Sequence, residues 1–331
     1  MKIKSIKTEV KYIVLKTPFI TALRRVETIE FVRVKVVCEK GEVGIGEAPA
    51  TMAITGEDIE IILASIEKVK ISLLGLNIES ALNALHETTI GSSAKAALDM
   101  AFMSLLGFFT LKNTKPIETD ITISLNAVDI MLRDAKIACD NGMNILKVKL
   151  GSDINHAIEV TKKLAHELPE AKLLIDANQA WSLKESLFYV NAVENLKIEL
   201  IEQPVVAEDL DSLKQVTNAT KIPILADEAT FNLEDVKNVM QTESADMINI
   251  KLMKCGGVSK AVEILEYARE HNLKCMLGSM LEGPYSINAA LYLAFNYRDV
   301  IKYVDLDSPL LYKEATKELD FIYSQSSISP S

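Results

Sequence analysis

The stretch KLLIDANQAW, residues 172–181, decides how this chain is read. Leu173, Leu174 and Ile175 make an apolar run of the length a buried strand needs, and Asp176 stands at its end. One aspartate there means little, because strands often hand over to turns through Asp or Asn. The arrangement recurs, however, at a nearly fixed interval. Lys149 closes ILKVKL (145–150), Glu202 closes ELIEQ (199–203), Asp227 falls in PILADE (223–228) and Lys251 in MINIKL (247–252). Successive spacings from Lys149 to Lys251 are 27, 26, 25 and 24 residues. Two further beats, with Ser279 of CMLGSM (275–280) between them, reach Asp305 in YVDLD (303–307).

Each interval has room for one strand, one helix and two loops. The intervening segments, such as HAIEVTKKLAHEL, SLKESLFYVNAVENL and SKAVEILEYAREH, carry apolar residues at three- and four-residue spacing. Ser182 and Glu185 form a capping box that opens the second of these. With ITISL (121–125) as the first, eight strands alternate with seven helices, which implies a parallel sheet. An open sheet would spread the six polar strand ends along an edge. A barrel brings them to one face, where such enzymes keep their active sites. No amphipathic helix follows the eighth strand, so the expected fold is α/β, a modified TIM barrel of the (β/α)7β kind.

The N-terminal third has another texture. KIKSIKTEVKYIVL and IEFVRVKVVCEKGEVGIGEA alternate in polarity as antiparallel strands do, with a turn at Lys40–Gly41, and helical patterns follow through SSAKAALDMAFMSLLG. Residues 1–116 are therefore expected to be an α+β capping domain, completed by the tail 312–331. Residues 117–311 are expected to be the barrel. The apolar stretch Met100–Leu111 should be a buried helix, and SSISPS at the C-terminus should fray.

Composition bounds the function. The chain has 331 residues, 49% hydrophobic and 25% charged, a balance suited to a large soluble core. A net charge of −10 argues against a nucleic-acid partner. Four dispersed cysteines without a CxxC spacing suggest reduced thiols, and no segment reads as a signal peptide or membrane span, so a cytoplasmic location is expected. A homo-oligomer is an allowed assembly.

At the strand ends, Asp176, Glu202 and Asp227 would bring three carboxylates together. They would repel strongly unless a cation neutralised them. An all-oxygen set suits a hard ion, Mg²⁺ or alternatively Mn²⁺. His86, His156, His166 and His271 lie away from the strand ends, which disfavours zinc. Lys149 and Lys251 flank the acids, on strands two and six, which face each other across an eight-stranded ring. Two such groups could remove a proton from one face of a substrate and return one to the other. Lysine titrates near ~10.4, so a base near neutrality must be lowered. Lys147, two residues before Lys149 on the same strand face, pushes that way, as would the metal, and is itself expected among the substrate-binding residues. Asn178 and Asn249 share strand parity with Asp176 and Lys251 and are expected to support them.

KVK (147–149), DANQAW (176–181), EQP (202–204), ADE (226–228), NIKLMKCGG (249–257) and GIGEA (44–48) together resemble the enolase superfamily, within it the muconate-lactonizing subgroup. That resemblance implies Mg²⁺ on Asp176, Glu202 and Asp227 binding a substrate carboxylate, and a lysine taking the α-proton to give a metal-stabilised enolate. Asp305 and Asp307 of DLD, with ALR (22–24) in the capping domain, resemble the dipeptide epimerases of the L-Ala-D/L-Glu type. By that resemblance the two aspartates hold the alanyl ammonium, and Arg24 grips the glutamate side chain. Lys149 and Lys251 invert the glutamyl α-carbon, and Ser279 and Met280 line the side-chain pocket. From residue type alone either Arg24 or Arg25 could be the contact. The substrate would be a dipeptide, with recycling of cell-wall peptides as the setting. The alternatives are a cycloisomerase, an o-succinylbenzoate synthase, or an epimerase for hydrophobic or basic dipeptides; the first two leave the DLD acids without an ammonium to bind. A Schiff-base aldolase using Lys251 would leave the three acids unexplained.

Overall fold

The computed structural model describes residues 1–331. The capping domain holds a three-stranded antiparallel sheet, β1 (Ile3–Ile20), β2 (Arg25–Cys38) and β3 (Val43–Pro49). Helices α1 (Met52–Thr55), α2 (Ile59–Leu73), α3 (Ile78–His86) and α4 (Ser92–Leu105) follow. Gly41, at φ +95°, makes the turn between β2 and β3. Helix α4 ends at Leu105 rather than continuing to Leu111. Gly107, at φ +73°, turns the chain, and Phe108, Phe109 and Leu111 pack instead against the core under the barrel helices.

The glycines of GIGEA have a steric purpose. A β-carbon on Gly46 would lie 1.9 Å from the carbonyl oxygen of Ala97, and one on Gly44 would lie 2.1 Å from that of Ala101. Sheet and helix thus approach backbone to backbone. Gly46→Ala should force β3 from α4 and cost about 2–3 kcal/mol, read as a lowered urea midpoint at unchanged slope. A midpoint like the wild type's would show that the contact yields easily.

After β4 (Ile117–Glu118), eight parallel strands run in order around the barrel. They are β5 (Ile121–Ile123), β6 (Ile145–Lys149), β7 (Lys172–Asp176), β8 (Ile198–Glu202), β9 (Ile224–Ala226), β10 (Met247–Ile250), β11 (Lys274–Gly278) and β12 (Ile301–Asp305). All eight segments expected from the sequence are present. Between them lie α5 (Val128–Asp140), α6 (Ile154–Glu167), α7 (Leu183–Val193), α8 (Leu210–Asn218) and α9 (Leu233–Thr242). The short α10 (Leu252–Cys255), α11 (Val258–Glu270) and α12 (Pro284–Asn296) complete the ring of helices. The Ser182–Glu185 capping box forms at the start of α7. Only a four-residue helix, α13 (Ser308–Leu311), follows β12.

Strand periodicity explains why the barrel has a dry floor and a polar mouth. Ile145, Leu174, Leu200, Leu225, Met247, Met276 and Tyr303 pack as one buried cluster. Lys147, Asp176, Glu202, Asp227, Asn249 and Asp305 each stand two residues further along, on the same inward face, Asp227 just past the end of β9. The ring closes between β12 and β5 through individual bonds: the Asp120 amide donates to Val304 O at 3.2 Å, and the Thr122 amide donates to Asp307 Oδ2 at 2.7 Å.

The C-terminus does not fray. Strands β13 (Phe321–Ser324) and β14 (Ser327–Pro330) form a hairpin that pairs with β4, and Ile328 is fully buried. SSISPS is held because Ile328 supplies an apolar anchor within an otherwise polar run. The tail also touches the N-terminal sheet, since Arg33 of β2 grips Glu318 with two 2.7 Å bonds. The same guanidinium bonds Glu47 of GIGEA at 2.8 Å. Glu47 in turn accepts from the amides of Tyr285 and Ser286, in the first turn of α12, where a carboxylate suits the helix dipole.

Candidate active site

Seven of the expected residues meet at the C-terminal mouth. Lys147 is fully buried, and its ammonium lies 2.6 Å from Asp305, 2.7 Å from Glu202 and 3.3 Å from Asp176. Lys149 lies 2.5 Å from Asp176, and Lys251 2.6 Å from Asp227. Strands β6 and β10 are four places apart in a ring of eight, so Lys149 and Lys251 face one another across it. Both line a single cavity with Arg24, Asn178, Asp305 and Asp307, whereas Lys147, expected to bind substrate, lies outside that lining because three carboxylates hold its ammonium below it.

Burial and charge set the protonation. Burial alone would lower Lys147, but Asp305, Glu202 and Asp176 outweigh it and hold the ammonium well above the usual range. Lys251 is likewise raised: burial works against its charge, and Asp227 overcomes it. That departs from the lowered lysine expected from the sequence, which weighed positive neighbours and not the direct Asp227 contact. A divalent cation sharing the Asp227 carboxylate would weaken that pairing and lower Lys251. Burial raises Asp176 and Asp227, but their lysine partners keep both below the ordinary carboxylate range. Glu202, by contrast, is pushed up to about 7 by burial and by the Asp176 charge.

The donor set fits a hard cation. Asp176, Glu202 and Asp227 end or immediately follow three adjacent strands, and all three are buried. Glu202 Oε2 makes no directed hydrogen bond although Lys147 is near, and Glu228 Oε2 and Asn178 Oδ1 are buried without any partner. Such oxygens suit an ion that asks for oxygen ligands only. Asn249 donates to Glu202 Oε1 at 2.8 Å, fixing that carboxylate's orientation. A second concentration of acid is formed by Asp120, Asp305 and Asp307, whose oxygens lie within 4.8 Å of one another.

Two expected geometries are corrected. Asp307 does not share a strand face with Asp305, because β12 stops at Asp305 and Asp307 has helical backbone angles before α13. It reaches the cavity through that turn. Asn178 likewise lies beyond β7, at φ +45°, and its amide donates to Asp176 Oδ1 at 2.9 Å. Strand parity gave the right neighbours by the wrong path. Ser279 and Met280 line the cavity, the Met280 amide donating to Glu282 Oε1 at 2.8 Å.

The β1–β2 hairpin brings its tip over this mouth. The Ile20 amide donates to Ser124 Oγ at 3.2 Å, and the Leu125 amide donates to Ile20 O at 2.9 Å. Thr21 closes the turn by accepting from the Leu23 and Arg24 amides, and Phe19 lies 6.0 Å from the Lys149 ammonium. Arg24 lines the cavity, whereas Arg25 is exposed and pairs with Glu27.

Sequence reasoning missed three polar residues. Lys254 is buried and donates to Asp227 Oδ1 at 2.6 Å and to Asn249 O at 2.8 Å. It lies one helical turn after Lys251 in NIKLMKCGG, a spacing that could have flagged it. Glu228, beside Asp227, lines the cavity and is pushed up to about 8 by burial and by Asp227. Asp120 carries no local pattern that marks it.

Two family models match the chain. One, described as mandelate racemase / muconate lactonizing enzyme, N-terminal domain, covers residues 5–110. The other, enolase C-terminal domain-like, covers residues 131–329. The chain is 59% identical to an L-amino acid-D/L-Glu epimerase of Sulfurimonas denitrificans over 100% of both chains. It is 39% identical to an L-Ala-D/L-Glu epimerase of Bacillus subtilis over 99% of this chain and 94% of the relative. The solved structure of a substrate-liganded complex of that Bacillus subtilis epimerase matches with a TM-score of 0.95 at 38% identity, over 100% of this chain and 97% of the other. A dipeptide epimerase from Enterococcus faecalis, complexed with Mg and L-Leu-L-Tyr, matches with a TM-score of 0.92 at 31% identity, over 100% of this chain and 98% of the other.

Proposed function

Because the chain belongs to the mandelate racemase/muconate lactonizing enzyme family of the enolase superfamily, we propose that it is a dipeptide epimerase of the L-Ala-D/L-Glu type. It inverts the α-carbon of the C-terminal residue by a 1,1-proton transfer between two lysines. The observation that carries this reading is the opposed pair Lys149 and Lys251, opening on one cavity that also holds Arg24, Asp305 and Asp307.

Each residue has a role in that reaction. A neutral lysine on one face accepts the α-proton, while the ammonium on the other face delivers a proton to the same carbon. The two lysines exchange protonation states with each inversion, so either stereoisomer can enter. Asp305 and Asp307 accept hydrogen bonds from the N-terminal ammonium and set the dipeptide's register. Arg24 pairs with the side-chain carboxylate of the C-terminal glutamate. Asp176, Glu202 and Asp227 would hold Mg²⁺, and Mn²⁺ has the same preference for oxygen donors. When bound, that ion would supply positive charge where negative charge builds on the α-carboxylate, lowering the cost of the carbanion. Lys254 and Asn249 hold Asp227 and Glu202 in place.

Arg24 favours a glutamyl substrate over a hydrophobic one, for which a cation in the cavity would be left unpaired. L-Ala-D-Glu is a fragment of cell-wall peptide, so a role in recycling such peptides follows, in the cytoplasm. No helix is long and apolar enough to cross a membrane. The test is proton NMR of L-Ala-L-Glu in D₂O with Mg²⁺ supplied. Loss of the glutamyl α-proton signal and growth of L-Ala-D-Glu are expected, the alanyl α-proton staying in place. Failure of exchange with this dipeptide and with hydrophobic and basic ones would redirect the assignment to cycloisomerase or synthase chemistry.

A further inference from the structure

The acid trio beside the cavity contains one carboxyl to which the reaction assigns nothing. Asp120 sits where the barrel ring closes, its amide bonded to Val304 O at 3.2 Å. The neighbouring Thr119 hydroxyl bonds Val304 O and accepts from the Leu306 amide, both at 3.2 Å. The segment carrying Asp120 is thereby fastened to the one carrying Asp305 and Asp307. Its side chain has 0% exposure, and neither of its carboxylate oxygens meets a hydrogen-bond donor.

Its two acidic neighbours are served differently. Asp305 receives Lys147 at 2.6 Å, and Asp307 receives the Thr122 amide at 2.7 Å. Both of these line the cavity, and Asp120 does not; it stands behind them. An ionised Asp120 would be a buried anion with no donor, beside two other carboxylates; the nearby Lys147 ammonium attracts it but is already bonded to Asp305 and paired with Glu202, so desolvation and repulsion prevail. A proton on Asp120 removes both penalties and turns it into a donor toward its neighbours.

We propose that Asp120 is a positioning residue that keeps a proton and donates a hydrogen bond through it to Asp305, so that Asp305 and Asp307 present a fixed, singly negative site to the substrate's ammonium. The charges then close. With a cation serving Glu202 and Asp176, which otherwise share the Lys147 ammonium, the two negative charges of Asp305 and Asp307 are met by Lys147 and by the incoming ammonium. With Asp120 ionised the pocket would carry one charge too many. Burial, with the charges of Asp305 and Asp307, pushes the Asp120 carboxyl well above the usual aspartate range, which agrees. This inference rests on the ammonium reading of Asp305 and Asp307. The rival use of the trio, a second metal site, would require Asp120 to be ionised.

The test compares Asp120→Asn and Asp120→Ala in the Mg²⁺-loaded enzyme with L-Ala-L-Glu, and records the carbonyl stretch of un-ionised carboxyls by infrared difference spectroscopy. The asparagine amide keeps a donor, so its KM should stay within about threefold of wild type. The alanine variant should raise KM roughly tenfold with kcat nearly unchanged, since the donor acts on binding. The wild-type spectrum should contain an un-ionised carboxyl band at neutral pH that Asp120→Asn lacks. The proposal is overturned if Asp120→Asn raises KM as much as Asp120→Ala, if no such band exists, or if wild type binds a second metal equivalent that Asp120→Asn loses. Should Asp120→Ala fail to fold, the asparagine variant and the infrared band decide alone. A wild-type enzyme that turns over N-acetyl-L-Ala-L-Glu as well as the free dipeptide would sink the ammonium reading itself, while the band still decides on the proton at Asp120.

Discussion

Lys149→Ala and Lys251→Ala should each slow epimerisation by at least about a thousandfold, at the upper part of the range for losing a general acid or base. The expected signature is more specific than loss of rate. Each lysine faces one side of the α-carbon, so each variant keeps the group that serves one stereoisomer. With that stereoisomer the remaining lysine can still remove the α-proton and return a deuteron from D₂O on the same side. One variant should therefore wash deuterium into the L-glutamyl dipeptide, the other into the D-glutamyl dipeptide, and neither should invert. Exchange with both stereoisomers in a single variant would mean that one base reaches both faces, and the opposed-lysine mechanism would be wrong. The buried pairs Lys149–Asp176 and Lys251–Asp227 add a control. Alanine leaves an aspartate without its partner, so melting curves should be taken with the metal present.

The second large effect concerns Arg24. Arg24→Ala should reduce kcat/KM for L-Ala-L-Glu by about two to three orders of magnitude, because a charge-assisted, two-point contact is lost and the substrate carboxylate enters the cavity unpaired. Turnover of a dipeptide with an uncharged C-terminal side chain should change little. Arg25→Ala should behave as wild type, since that guanidinium lies outside the cavity and pairs with Glu27. Equal losses on charged and uncharged substrates would indicate that Arg24 holds the hairpin turn rather than the glutamate.

Much of this was legible in the sequence, for a physical reason. In a parallel barrel the strand ends converge by geometry, so a beat of 24–27 residues carrying charged residues is also a statement about neighbourhood. Lys149, Asp176, Glu202, Asp227, Lys251 and Asp305 could be read from that beat. What could not be read depends on contacts outside it. Asp307 and Asn178 lie past their strands, where parity ceases to apply. Asp120 acquires its environment from the closure of β5 against β12, which joins residues 185 apart in the chain. Lys251 has its charge fixed by a partner that alternation alone does not reveal. The tail holds because of Ile328, a single anchor too slight to register as a pattern.

The docked hairpin tip has a consequence for how such a protein changes over generations. The opposed lysines and their acidic partners lie between residues 147 and 305, while Arg24, to which side-chain selection is proposed to fall, sits on a turn fastened to the barrel by the bonds of Ile20. A few codon changes between those anchor points can alter which molecules are admitted without disturbing the groups that act on them. Dietary breadth and reactive machinery are thus inherited as separate traits, and a lineage can broaden the first while the second stays fixed.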